Sequence, residues 1–390
     1  MFKHMPFILI AIIAAIVLLD PYIPLNIKQI LYTVSLSIKE CIVMILPIII
    51  FSLLFKTVAT LSSVTKSIIG LCAILVFVCC SNFFSTILSG FIGACTYKFD
   101  LSMIAPHDNS NLEPLWSLNL PTLISNARAM FSGIILGIIA AIFTPRIATQ
   151  VSGIIEVCVK LVLNCIVYMI PLFVAGFVVK LQTDGVVCVI IKDYALIFGI
   201  IAIAQFSYIT LLYFVFSGFK MSESFKSIKN MLPAAISGFT TMSSAASMPL
   251  TICGAENNAI NKDLARSVIP VTVNIHLIGD CLAIPIFAYA VLKSFGMPEP
   301  SLLNYLVFTA YFVLAKFSVA AIPGGGILVM LPILEAYLGF NANMLSLITA
   351  LYILFDPVIT CANVLGNGAF AKMIDKCSVF LFKKVKDRQV

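Results

Sequence analysis

Five polar side chains in the run LYILFDPVITCANVLGNGAFAK have types and spacings that could do chemistry together. Tyr352, Asp356, Thr360, Asn363 and Asn367 recur at intervals of four, four, three and four. On a helix that spacing aligns them along one face, between apolar neighbours. Such a row of polar groups inside an apolar helix is a candidate functional site. A second run, VIPVTVNIHLIGDCLAIPIF, carries Asn274, His276 and Asp280 in equally apolar surroundings. Asn274 and His276 lie too close in sequence to share a helical face, so local unwinding is expected there. His276 reads either as a hydrogen-bonded interior residue or, with Asp280 at i+4, as one half of a titrating pair. Bond-breaking chemistry has little to work with. The three histidines are His4, His107 and His276, and no nucleophile–base pair, phosphate loop or metal cluster is visible. The 12 cysteines form no CxxC and sit mostly in apolar runs, where they read as small buried residues. The chain is not expected to be an enzyme or to hold a cofactor.

Two interruptions of the backbone must position these groups. AISGFTTMSSAASMPLTICGAENN is broken at TTMSSAAS, followed by Pro249. VLAKFSVAAIPGGGILVMLPILEAYLGF is broken at AAIPGGG, where Pro323 removes a backbone donor and the glycines weaken helix. Each break precedes a full-length apolar helix, 264–292 and 346–371. Alone, the first would read as close helix packing and the second as a kink. As a pair in corresponding positions they read as inverted repeats. Each repeat has a re-entrant hairpin whose tip reaches the membrane midplane, where helix ends make a ligand site.

The rest of the composition supplies the setting. Of 390 residues 61% are hydrophobic and 11% charged, and the mean hydropathy is +1.10. That describes an all-α polytopic membrane protein, with spans near 6–19, 35–57, 67–97, 124–145, 150–182 and 194–219 before the two broken units. The first span reads as retained rather than as a signal peptide, because no small-residue cleavage site follows it. Lys3, Lys56, Lys66, Arg146, Lys220, Lys226, Lys229, Lys262, Arg266 and the tail KKVKDRQV fall on one side. This puts both termini in the cytoplasm. The net charge of +7 therefore serves topology rather than nucleic acid. An intramembrane aspartate costs about 2.5–3.5 kcal/mol on insertion scales, so Asp356 is a functional candidate, with structural pairing to Lys316 as the plainer role.

Four motifs, TTMSSAASMPLT, VIPVTVNIHLIG, AAIPGGGILVML and DPVITCANVLGNG, occur in the order found in the dicarboxylate/amino acid:cation symporter family, which includes the glutamate transporters. The chain resembles a divergent member of that family, with weaker similarity back through VYMIPLFVAGFVV. The resemblance implies about eight transmembrane helices plus two re-entrant hairpins, in homotrimers that work as elevators in the plasma (bacterial inner) membrane. It implies a scaffold in 1–182, with 67–97 contributing to the transport core. The core itself would be 183–380, holding hairpin 1 (221–262), helix 264–292, hairpin 2 (302–345) and helix 346–371, followed by a basic tail at 381–390. Hairpin 2 would be the extracellular gate. Asp356 falls where the family holds a substrate ammonium, and Thr360 and Asn363 where side chain and α-carboxylate are contacted. Ser243 and Ser244 fall in the serine motif of hairpin 1, and Ile322, Pro323 and Gly324 at the tip of hairpin 2.

Departures from the family pattern narrow the expectation. Ile359 stands where members for acidic substrates carry an arginine, which removes the bidentate partner of a second carboxylate and favours a neutral amino acid. His276 and Ile278 replace a sodium-binding asparagine and aspartate, and Asn367 replaces another aspartate. Together with Asn274 and Asn363 they leave sodium sites that are weak or absent. Lys316 stands at a small hydroxyl position beside a sodium site. Its ammonium either substitutes for that ion, making transport sodium-independent or proton-coupled through His276 and Asp280, or snorkels to the interface. The expected function is symport of a small amino acid or related carboxylate, coupled to sodium or protons. The alternative is a channel-like or sensory homologue that kept the fold and lost coupled transport.

Overall fold

The computed structural model describes residues 5–64, 68–99, 112–118, 120–121, 124, 126–183, 185, 187–319 and 324–386. Every regular element among them is helical. In lipid the backbone groups must be satisfied within each segment, and the helix does this without neighbours.

The first half comprises α1 (Met5–Leu19), α2 (Leu25–Val64), α3 (Ile68–Tyr97), α4 (Asn126–Phe143), α5 (Pro145–Thr183) and α6 (Val187–Phe216), with a 3-10 turn at Asp20–Tyr22. Helix α2 starts at Leu25, ahead of the apolar run at 35–57, because NIKQILY contains no proline or glycine to break the helix. It and α5, of 40 and 39 residues, are longer than the ~20 a bilayer needs. Of the long loop at 98–127, the described stretch lies along α2: Leu115 N–H donates to Thr33 Oγ1 and Trp116 Nε1 to Ser37 Oγ.

The second half holds two helix pairs and the helices that follow them. Hairpin 1 is α7 (Met221–Thr241) and α8 (Ser244–Asn258), followed by α9 (Lys262–Thr272) and α10 (Ile278–Ser294). Hairpin 2 is α11 (Leu302–Lys316) and α12 (Gly325–Leu338), followed by the single helix α13 (Ala342–Lys386). The arms α11 and α12 have 15 and 14 residues. At ~1.5 Å per residue each covers roughly 22 Å, too little to cross a ~30 Å hydrocarbon core.

Two packed groups result. Helices α4 and α5 pack on α2, with α1 against α5, while α3, α6 and α13 pack around α10, hairpin 1 lies on α13, hairpin 2 lies against α3 and α13, and the two groups touch only sparsely. Helix α10 is buried on every side from Ile278 to Leu292, as befits a helix apolar all round. Three stretches among the described residues are long and apolar enough to cross a membrane: Ala73–Tyr97, Lys192–Phe216 and Asn343–Ser378. On α3 and α6, Phe84, Phe91, Leu196 and Ile203 point outward.

Candidate solute-binding site

The tips of both hairpins converge on one stretch of α13. At hairpin 1, α7 ends with Met242 in the left-handed region (φ 52°), and Ser243 caps α8 by accepting from Ala246 N–H at 3.2 Å. Ser247 donates to Ser237 at 3.1 Å across the pair, and Ser244 is buried. Gly238, one turn before the tip, lies against α13 so closely that a Cβ there would sit 3.0 Å from Val364 and 3.3 Å from the Thr360 carbonyl.

At hairpin 2, Ile322 and Pro323 lie outside the described residues, and the tip is followed from Gly324. Its φ of 72° is left-handed, which glycine adopts without strain. Gly324 N–H donates to Asp356 Oδ2 at 2.8 Å, and Thr360 Oγ1 donates to Asp356 Oδ1 at 3.0 Å. The Asp356 carboxylate is buried and forms no ion pair with any described residue. Lys316 pairs with another acid.

Asn363 works between helices. Leu277, before the first turn of α10, offers no side-chain cap. Asn363 Oδ1 supplies one from α13, accepting from Gly279 N–H at 2.8 Å and Asp280 N–H at 3.4 Å. Asn367 Nδ2 in turn donates to the Asn363 carbonyl. Ile359 is wholly buried in the apolar core rather than facing open space.

The chain between α9 and α10 is non-helical at 273–277, so Asn274 and His276 sit on an unwound segment. Asn82 on α3 satisfies it: Nδ2 donates to the Ile275 carbonyl at 2.7 Å and Oδ1 accepts from Leu277 N–H at 3.3 Å. His276 Nε2 meets Ser81 Oγ at 2.9 Å, and its ring lies 4.3 Å from that of Phe370. His276 and Asp280 do not pair. Asp280 instead accepts from the Tyr352 hydroxyl at 2.5 Å and faces Lys316 Nζ at 3.6 Å. Lys316 is wholly buried, so it does not reach for the interface.

Asn82 and Ser81 went unassigned in the sequence reading, although SN inside the apolar run CCSNFFSTILSG is the signal that could have found them. Nor did it find Lys372, which donates to Ser217 and Ser227, or Asp375, which accepts from Ile260 and Asn261 N–H. Together these residues of α13 hold both ends of hairpin 1.

An integral membrane chain with two hairpins meeting at a polar helix face belongs among carriers built from interrupted helices. The sequence model of the Sodium:dicarboxylate symporter family matches residues 5–377, and the chain belongs to that family, one of symporters rather than enzymes. It is 28% identical over 219 residues to Neutral amino acid transporter B(0) of Macaca fascicularis, covering 54% of this chain and 39% of that protein. It is 30% identical over 169 residues to Neutral amino acid transporter A of Bos taurus, covering 42% and 30%. To Excitatory amino acid transporter 3 of Mus musculus it is 27% identical over 179 residues, covering 46% and 33%. The chain thus spans between 30% and 39% of the length of these relatives.

Proposed function

We propose that this protein is a secondary active transporter that carries a small neutral amino acid, driven by a sodium or proton gradient. One observation carries the reading. Of two buried acids beside hairpin 2, Asp280 has a cation opposite it, while among the described residues Asp356 is met only by the neutral donors of Gly324 and Thr360. A buried carboxylate without a counter-charge is suited to an arriving ammonium. The α-carboxylate of the same solute is received by the N-termini of α8 and α12, with Ser243 and Ser244 beside the first, and by the Asn363 amide, whose oxygen is already engaged. Ile359 brings no charge for a side-chain carboxylate, and two of the relatives named above are transporters of neutral amino acids.

In this reading the group around α10 moves as an elevator core against a scaffold of α1, α2, α4 and α5, and hairpin 2 is its extracellular gate. The apolar outer faces of α4 and α5, with Ile139, Ile142, Ile154 and Val157 exposed, suit lipid and the interfaces of a homotrimer. The membrane is a bacterial plasma membrane with both termini cytoplasmic.

The test is a thermal-shift screen of neutral and acidic amino acids and dicarboxylates on the purified protein, followed by uptake of the stabilising solute into proteoliposomes. A neutral amino acid should raise the melting midpoint and be accumulated, and Asp356→Asn should abolish both effects. Stabilisation by dicarboxylates alone, or an unchanged affinity in Asp356→Asn, defeats the proposal. A second reading, a channel-like or sensory homologue, draws on the internal ion pair of Lys316, which needs no gradient. Accumulation against a gradient excludes it.

A further inference from the structure

The side chain of Lys316 is at 0% exposure, and its Nζ makes no hydrogen bond to any described residue. Three N–H donors are therefore buried with one carboxylate oxygen of Asp280 at 3.6 Å and the face of Phe312 at 4.6 Å. Carboxylate and ring face both attract positive charge without prescribing the geometry of an ammonium. Lys316 also occupies the last turn of α11, the negative end of that helix. These are features of a box for a small cation.

Its location gives the box a task. The far side of Asp280 is closed by α12: a Cβ on Gly326 would strike Asp280 Oδ1 and the Tyr352 hydroxyl. The charge pair thus lies between the two arms of hairpin 2, with α10 and α13 beneath. A positive charge at this point draws α11 onto Asp280, while the first turn of α12 rests on the same carboxylate. Without it, hairpin 2 would close over an unpaired buried anion.

We propose that Asp280, Tyr352, Phe312 and the C-terminal turn of α11 form a monovalent-cation site that the chain fills with its own lysine. Hairpin 2 therefore closes with no external cation bound there, and removing the ammonium opens the site to an alkali metal ion. This deepens the transporter reading, since uptake then requires no sodium at hairpin 2, but its test uses no solute and stands apart from the identity of the cargo.

The experiment measures the melting midpoint of the full-length protein in detergent with sodium chloride titrated against choline chloride at fixed ionic strength. The protein as it stands, Lys316→Ala and Lys316→Ala/Asp280→Asn are compared. A site that binds only the folded state raises the midpoint progressively with ligand concentration. The expected result is a sodium-minus-choline shift that is larger in Lys316→Ala than in the unaltered protein and returns to the unaltered value in the double variant. A shift no larger in Lys316→Ala, or one that survives in the double variant, overturns the proposal. Recovery of folded Lys316→Ala only when it is purified in sodium supports it, and failure to fold in both salts overturns it.

Discussion

Tyr352 on α13 and Asp280 on α10 are joined by a 2.5 Å hydrogen bond, with both side chains almost fully buried. The hydroxyl serves one carboxylate oxygen and Lys316 the other. Replacing Tyr352 with phenylalanine keeps the ring and strands Oδ1. The expected loss is about 1–3 kcal/mol, the usual effect of an unsatisfied buried acceptor. It should be read as a lower melting midpoint in detergent, and a midpoint equal to the parent would show that the bond contributes nothing.

The same hydroxyl limits what can stand at position 326. A methyl group there would collide with Tyr352 and with the Asp280 carboxylate, neither of which is a loose chain end. Gly326→Ala should lower stability by about 1–3 kcal/mol, as overpacking does. Placed in the Tyr352→Phe background it should cost less, because the nearest atom is gone. Strict additivity of the two changes in melting experiments would contradict this contact.

Asn82 carries two backbone groups of the unwound segment by itself. Asn82→Ala should leave a buried carbonyl and a buried N–H without partners, at about 1–3 kcal/mol each. Hydrogen exchange followed by mass spectrometry should show faster exchange in the peptide containing 273–277. Unaltered protection of that peptide would rule out the role assigned to Asn82.

Periodicity explains why much of this was legible before any coordinates. The stripe from Tyr352 to Asn367 needed only the helical repeat, and the spacing of Asn274 and His276 was enough to expect unwinding. Paired small-residue breaks marked the two hairpins because lipid tolerates interrupted backbone in few places. Partnership was what spacing could not convey. Asp280 and His276 share a helical interval, yet the interval is not realised, because unwinding at 273–277 turns His276 toward Ser81 on a helix 195 positions earlier. The sequence offered Asp356 as the structural partner of Lys316, and tertiary packing paired the lysine with Asp280 instead. The role of Asn363 as a cap for another helix lay equally beyond local reasoning.

Asp375 offers a graded test of the hold on hairpin 1. Its two oxygens accept from Ile260 N–H at 2.7 Å and Asn261 N–H at 2.9 Å. Asp375→Asn retains one acceptor and Asp375→Ala none. With hydrogen bonds to a charged group worth about 1.5–3 kcal/mol, the melting midpoint should fall in the order parent, asparagine, alanine. Equal losses in the two variants would mean that charge or packing, rather than the paired acceptance, is what matters there.

In the transporter proposed above, the bond from Gly324 to Asp356 enters the binding equilibrium. The oxygen that would meet a solute's ammonium is already taken by the tip of hairpin 2, so occupant and latch compete for one acceptor. Measured affinity becomes the intrinsic affinity scaled down by the fraction of molecules whose latch has let go. A feeble dissociation constant for this protein would accordingly report the reluctance of its door as much as the fit of its cargo.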